Sequence, residues 1–189
     1  VEICRKNQAY EVRVAKNDEE RAQLWLGRKG AFGAMGRISP DMVVMDAVIP
    51  RTQLPGVLSE IYRIADRYGL VVANVFHAGD GNLHPLILFD SRRQDQVDKI
   101  LDMGGDIMKV CVAAGGALSG EHGIGIEKKE YMDLVSNDAD LDVMMQVKNV
   151  FNPHGLLNPS KVFPTRRSCT EIGKNTTTNT AEIGKRVEA

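Results

Sequence analysis

The stretch Phe76 to Pro85, FHAGDGNLHP, constrains the fold more than any other part of the chain. It sets Asp-Gly between two runs of strand character, residues 70–76 and 83–89. In that setting Asp-Gly is a strong hairpin signal, because both central positions of the favoured two-residue turn take positive φ. Centring the turn on Asp80-Gly81 pairs Gly79 with Asn82, Ala78 with Leu83 and His77 with His84. Directly opposed residues share one face of the ribbon, with Cβ atoms about 4.5–5.5 Å apart. The chain has 4 histidines and spends two of them here. Imidazoles so placed can grip one metal ion with little rearrangement. The competing reading is an ordinary cross-strand pair held by hydrogen bonds.

A hairpin needs other elements to bury its apolar side, and the flanking periodicities supply them. Residues 9–15 (AYEVRVA) alternate at strand period. Asn17 followed by Glu20 matches a capping box, so a helix starts at DEERAQLW and is expected to fade across the glycine-rich residues 27–36. Residues 41–49 (DMVVMDAVI) read as strand up to Pro50. Leu54, Val57, Leu58, Ile61, Ile64 and Ala65 recur at helical spacing, with Gly69 as C-cap. Residues 94–114 carry Val97, Ile100, Leu101, Ile107, Met108 and Cys111 on one helical stripe, ended by Gly115 and Gly116. The order β-α-β-α-β-β-α, with adjacent strands, predicts an α+β fold with helices on one face of a largely antiparallel sheet. Residues 1–164 are expected to form the domain. Residues 165–189, polar and repeating EIGK at Glu171 and Glu182, are expected to be a flexible tail.

Several function classes drop out on composition. With 24 basic and 25 acidic side chains and a net charge of -1, no basic surface invites nucleic acid. No apolar run is long enough for a transmembrane helix, and VEICRKNQAYEV lacks the apolar core of a signal peptide. Cys4, Cys111 and Cys169 are odd in number and scattered, which fits reduced thiols in the cytoplasm and not a disulfide frame or thiolate metal site.

The second feature with chemistry in it is GGALSGEHGIGIEK, residues 115–128, which sets Glu121 beside His122. Its glycines let backbone turn sharply and approach a ligand. Two neutral imidazoles and a carboxylate form a common site for zinc, manganese or iron(II), with positions left open for substrate. A phosphate cradle would need the order GxxxxGK[ST] after a strand, and this loop follows a helix. A structural turn remains the plain alternative. In an extended backbone the side chains of Glu121 and His122 diverge, one toward metal and the other toward substrate as a base.

HAGDGNLHP and GALSGEHGIGIEK, with RKGAFGAMGRISPDMVVMDAVIP upstream and FNPHGLLNPSKVFP downstream, resemble the C-terminal domain of FAD-linked oxidases. These belong to the vanillyl-alcohol oxidase and p-cresol methylhydroxylase superfamily. The likeness runs over roughly residues 10–164. It is nearest to the FAD subunit of bacterial glycolate oxidases, with D-lactate and D-2-hydroxyglutarate dehydrogenases as relatives. The resemblance implies two ferredoxin-like halves forming one antiparallel sheet. It also implies oxidation of a small 2-hydroxy acid to a 2-oxo acid with hydride passing to flavin N5. By the same resemblance His77, His84 and Glu121 bind the divalent metal, and His122 takes the hydroxyl proton. Arg28 holds the substrate carboxylate, and Asn158 and Lys161 lie near the flavin, although an Asn-Pro turn would also explain that pair. Some relatives add a lysine and a threonine where this chain has Val44 and Phe32, which favours a small substrate such as glycolate or lactate.

The family places its FAD-binding domain before this region, and these residues contain no counterpart to it. The expectation is therefore a substrate and metal domain of a longer flavoprotein, inactive alone, cytoplasmic or peripheral at the inner face of the membrane. Other glycolate oxidase subunits, including an iron–sulfur subunit, are its expected partners. Two other readings stay open. A metal-dependent hydrolase would use the same ligands with His122 activating water, and a non-catalytic assembly subunit would bind no metal.

Overall fold

A computed structural model describes residues 1–165; the predicted tail lies outside them apart from Thr165. The chain divides at Ile38 into two compact units. The first holds helix α1 (Glu2–Lys6) and helix α2 (Asp18–Met35). The Asn17 side chain accepts the Glu20 backbone N–H at 2.8 Å, and the Glu20 carboxylate answers by accepting from the backbone N–H of Lys16 at 2.8 Å. The helix does not fade at its glycines. Gly27, Gly30 and Gly33 lie within it, since each costs only about 1 kcal/mol against alanine and no proline intervenes. Nor do residues 9–15 form a strand. This unit's described residues contain no second strand to pair with them, and alternation without a partner leaves backbone groups to water.

The second unit is built around a strand core. Strand β1 (Asp41–Val44) pairs antiparallel with β5 (Pro85–Phe89), from Asp41 opposite Phe89 to Val44 opposite Leu86. Strand β2 (Ala47–Val48) pairs antiparallel with β4 (Asn82–Leu83), placing Ala47 opposite Leu83. Stepping from Val44 to Ala47 matches stepping from Leu86 to Leu83, so the two ladders keep one register across a short break. The Met45 N–H donates to Pro85 O at 2.9 Å inside that break. Asp46 therefore stands opposite His84. On the other side of β5 runs β3 (Val71–Asn74), also antiparallel, giving the order β1-β5-β3.

Helix α3 (Leu54–Tyr68) buries Val57, Ile61, Ile64 and Ala65, and ends on Gly69 at φ 65°, as its sequence spacing predicts. Helix α4 (Gln94–Ala113) buries Ile100, Met103, Ile107, Met108 and Cys111. These side chains share one core with Met45, Ala47, Ile49, Val72, Leu83 and Ile87. Alternation along the strands then sends Asp46, Asn82 and His84 to the opposite face of the sheet. A 3-10 turn (Lys129–Leu134) leads to helix α5 (Asp138–Phe151), started by a reciprocal Asn137–Asp140 capping box. The fold is α+β with antiparallel pairing, as the element order predicts. Among the described residues no helix is long and apolar enough to cross a membrane.

Candidate metal centre

The hairpin forms, but in a different register from the simplest one. His77 pairs with Asn82, not His84, through its N–H to Asn82 O at 3.0 Å, and the Val75 N–H reaches His84 O at 3.4 Å. Residues 78–81 make the turn, with Asp80 N–H donating to His77 O at 3.0 Å. Gly81 takes φ 75°, whereas Asp80 does not adopt positive φ. A third piece of backbone sets this register: Gly81 O accepts the Ile49 N–H at 2.9 Å. A slip of two residues keeps side chains on their original face, where a slip of one would flip them. So His77 and His84 still share a face, their ring centroids 5.5 Å apart and nearly perpendicular at 89°.

The glycine at position 81 is thus required twice, by its φ and by space. A Cβ there would stand 2.1 Å from Ile49 O. Gly81→Ala is expected to destabilise the chain by about 2 kcal/mol or more, from the left-handed penalty plus the displaced Ile49–Gly81 hydrogen bond. Chemical denaturation reads this directly, and an unchanged midpoint would contradict the described turn.

The loop of residues 115–128 reaches the same face through Ala117. Ala117 and Val48 exchange backbone hydrogen bonds at 2.8 and 3.2 Å, adding a bridge to the outer side of β2. Gly116 makes this approach possible, since a Cβ there would lie 2.1 Å from Val48 O. Beyond Ala117 the backbone curls around the fully buried Asp46. The Asp46 carboxylate accepts the Ser119 hydroxyl at 2.6 Å and the backbone N–H groups of Gly120, Glu121 and His122 at 3.0–3.1 Å for the shorter contacts. Lys128, itself 2% exposed, donates to Asp46 O at 2.5 Å, with its Nζ 3.3 Å from Oδ2. Burial alone would raise the Asp46 pKa. The Ser119 hydroxyl, the His122 and Glu121 N–H groups and the Lys128 ammonium outweigh it, holding the carboxyl well below the usual range. Asp46 is therefore charged.

This curl brings the three candidate ligands together. Glu121 Oε1 lies 3.6 Å from His77 Nε2, and its Oε2 lies 3.5 Å from His84 Nε2. One donor atom from each of the three falls within 4.8 Å of the others. Separations of 3.5–3.6 Å are long for direct hydrogen bonds. Ligands bound to one ion at about 2.1 Å and tetrahedral angles stand about 3.4 Å apart, so the donor set fits a shared divalent ion. Burial, opposed by the Asp46 and Glu121 carboxylates, carries the His84 pKa below the ordinary imidazole value, which favours the neutral ring that ligates metals. His77 and Glu121 are about half exposed, leaving the cluster open on one side.

His122 does not diverge from Glu121 as an extended backbone would require. Its ring stacks on that of His84, centroids 5.3 Å apart at 25°. Asn158 and Lys161 lie together, the Lys161 ammonium donating to Asn158 Oδ1 at 3.0 Å. The Val162 N–H donates to Gly125 O at 2.8 Å and ties their segment to the ligand loop. Arg28 sits in the first unit on α2, beside Arg21, Leu24 and Trp25, while the three candidate ligands belong to the second. Asp46 and Lys128 escaped the sequence reading. The available signal was a single acid inside the apolar run MVVMDAVIP, which cannot be buried as a charge without partners.

The family described as FAD linked oxidases, C-terminal domain, matches residues 1–162. Glycolate oxidase subunit GlcD of Escherichia coli (strain K12) is 50% identical over 172 residues, covering 91% of this chain and 34% of the relative. Glycolate oxidase subunit GlcD of Bacillus subtilis (strain 168) is 34% identical over 161 residues, 85% of this chain and 34% of the relative. D-lactate dehydrogenase [cytochrome] 1, mitochondrial, of Saccharomyces cerevisiae is 30% identical over 169 residues, 86% of this chain and 28% of the relative. The chain thus spans about a third of the length of these relatives, and on the extent of the match it belongs to the family of FAD linked oxidases, C-terminal domain.

Proposed function

We propose that this chain is the substrate- and metal-binding domain of an FAD-dependent 2-hydroxy-acid dehydrogenase of the glycolate or D-lactate type. The observation that carries the reading is the convergence of His77, His84 and Glu121, with His122 stacked at its edge. In this reading those three side chains hold zinc, manganese or iron(II). Such an ion, when bound, acidifies the substrate hydroxyl and fixes its carboxylate, while FAD accepts the hydride.

The remaining work falls to the chain's own residues. His122 takes the hydroxyl proton at a ring nitrogen as the carbon's hydrogen leaves with its electron pair, so the acid loses two electrons and becomes a 2-oxo acid. Stacking against the buried His84 limits the freedom of the His122 ring. Arg28, on helix α2 of the first unit, carries a fork of donors of the kind that holds a carboxylate. Asn158 and Lys161, tethered to the ligand loop, would face the flavin, whose main contacts belong to the part of the protein that this chain does not cover. Val44 and Phe32 leave no second carboxylate-binding group in this reading, which favours glycolate or lactate. The reading extends to a cytoplasmic assembly with other glycolate oxidase subunits, including an iron–sulfur subunit.

The direct test is flavin reduction by glycolate and D-lactate in the flavoprotein carrying this domain, before and after chelation. Bleaching that stops on chelation and returns with added manganese or zinc supports the proposal. Full-rate bleaching by the metal-free protein would rule it out.

A further inference from the structure

We propose that Asp46, charge-balanced by Lys128, is a positioning residue that shapes the loop presenting Glu121 and His122. The inference rests on the metal-site reading above and concerns groups outside the three ligands.

Three successive backbone N–H groups, those of Gly120, Glu121 and His122, point at one carboxylate, joined by the Ser119 hydroxyl. Such a nest fixes the φ and ψ angles of the residues that make it. Those angles decide where the Glu121 and His122 side chains go. Asp46 also faces His84 across the strand pair, 3.7 Å from Nε2. One buried group thus contacts a hairpin ligand and sets the backbone of the loop ligand. Its oxygens are taken up by these donors, and it stands outside the His77, His84 and Glu121 donor set. It acts through Glu121 and His122 and is not itself a ligand.

The Asp46–Lys128 pair is fully enclosed, at 0% and 2% side-chain exposure. A buried ion pair is weak as a source of stability, because apolar residues of similar shape commonly replace one without loss. Removing one partner is another matter, since it strands a charge. That asymmetry separates positioning from stapling. In Asp46→Asn/Lys128→Met no charge is stranded, so folding is expected to survive. The asparagine, however, offers one acceptor oxygen to four donors and turns an NH2 group against the rest. The loop should therefore loosen in a protein that melts normally.

The experiment compares the 189-residue chain with that double variant. Three readouts are needed: melting temperature, Mn2+ affinity with the visible spectrum of the Co2+ form, and hydrogen exchange of amides 120–122. The expected result is a near wild-type melting temperature, Mn2+ binding about 10–100-fold weaker, a changed Co2+ spectrum and faster exchange at the three amides. A double variant with Mn2+ affinity within about twofold of wild type and unchanged exchange overturns the inference, leaving the pair a staple. Should the double variant fail to fold, Ser119→Ala removes one donor to Asp46 without touching a charge. It is expected to weaken Mn2+ binding and speed exchange at 120–123, and no change in either would sink the proposal. If wild type itself binds no Mn2+, the metal reading fails on its own. Exchange then decides the role of Asp46: faster in the variant supports it as the loop's organiser, unchanged removes it.

Discussion

Replacing both hairpin imidazoles, His77→Ala with His84→Ala, is expected to abolish divalent-metal binding and leave the helical core folded. Losing a group that merely orients a ligand costs about 10–100-fold in affinity, so losing two ligands should exceed about 100-fold. The stability cost is unequal between the positions. The His77 side chain is 46% exposed and its truncation removes little packing, whereas that of His84 is 5% exposed and leaves a small cavity beside Asp46 and His122. Helices α3 and α4 pack on the opposite face of the sheet and should keep their far-ultraviolet signal. If the pair were only hairpin packing, the outcome would reverse: stability would fall and metal content would not change. Titration with Mn2+ followed by its electron paramagnetic resonance signal separates the two.

His122→Ala is expected to lower turnover of the flavoprotein carrying this domain by about 100- to 10,000-fold, the range for a lost general base. Metal content should stay near wild type, because His122 contacts His84 by ring stacking and stands outside the three-donor set. Rapid mixing with substrate, monitored at the flavin band, would locate the loss in the reductive half-reaction. A loss of metal in this variant would instead make His122 a fourth ligand and leave the base unassigned.

The parts of this chain legible in its sequence are those fixed by neighbours along the chain. The periodicity of α3 and α4, the cap at Gly69 and the turn around Asp80-Gly81 all follow from local chemistry. Residues 9–15 mislead because alternation describes what a strand needs on its two faces, not whether a partner edge exists. Helix α2 ran past its predicted end because each of its three interior glycines, Gly27, Gly30 and Gly33, costs only about 1 kcal/mol and no proline intervenes. The hairpin register depended on Ile49, a residue remote in sequence, whose N–H captures Gly81 O. The pair of histidines survived that error only because the slip was an even number of residues.

The site divides in the same way. His77, His84 and Glu121 were nameable because histidine is scarce here and imidazole and carboxylate are ligand types. Asp46 sits among Val43, Val44, Met45, Ala47 and Val48, and gave no sign of its partners. Four of those donors lie 73 to 76 residues further along the chain. Lys128 looked like one more charge at the end of a glycine-rich loop, and its burial depends on Asp46 being there to receive it.

The central claim, that these three side chains hold one divalent ion, is tested most directly by elemental mass spectrometry of the purified 189-residue chain. The chain would be loaded in turn with zinc, manganese and iron(II) and dialysed beside the His77→Ala/His84→Ala variant. The account predicts close to one ion per chain for at least one of these metals, and none in the variant. No ion in either protein, or an ion that stays when both imidazoles are gone, would contradict it.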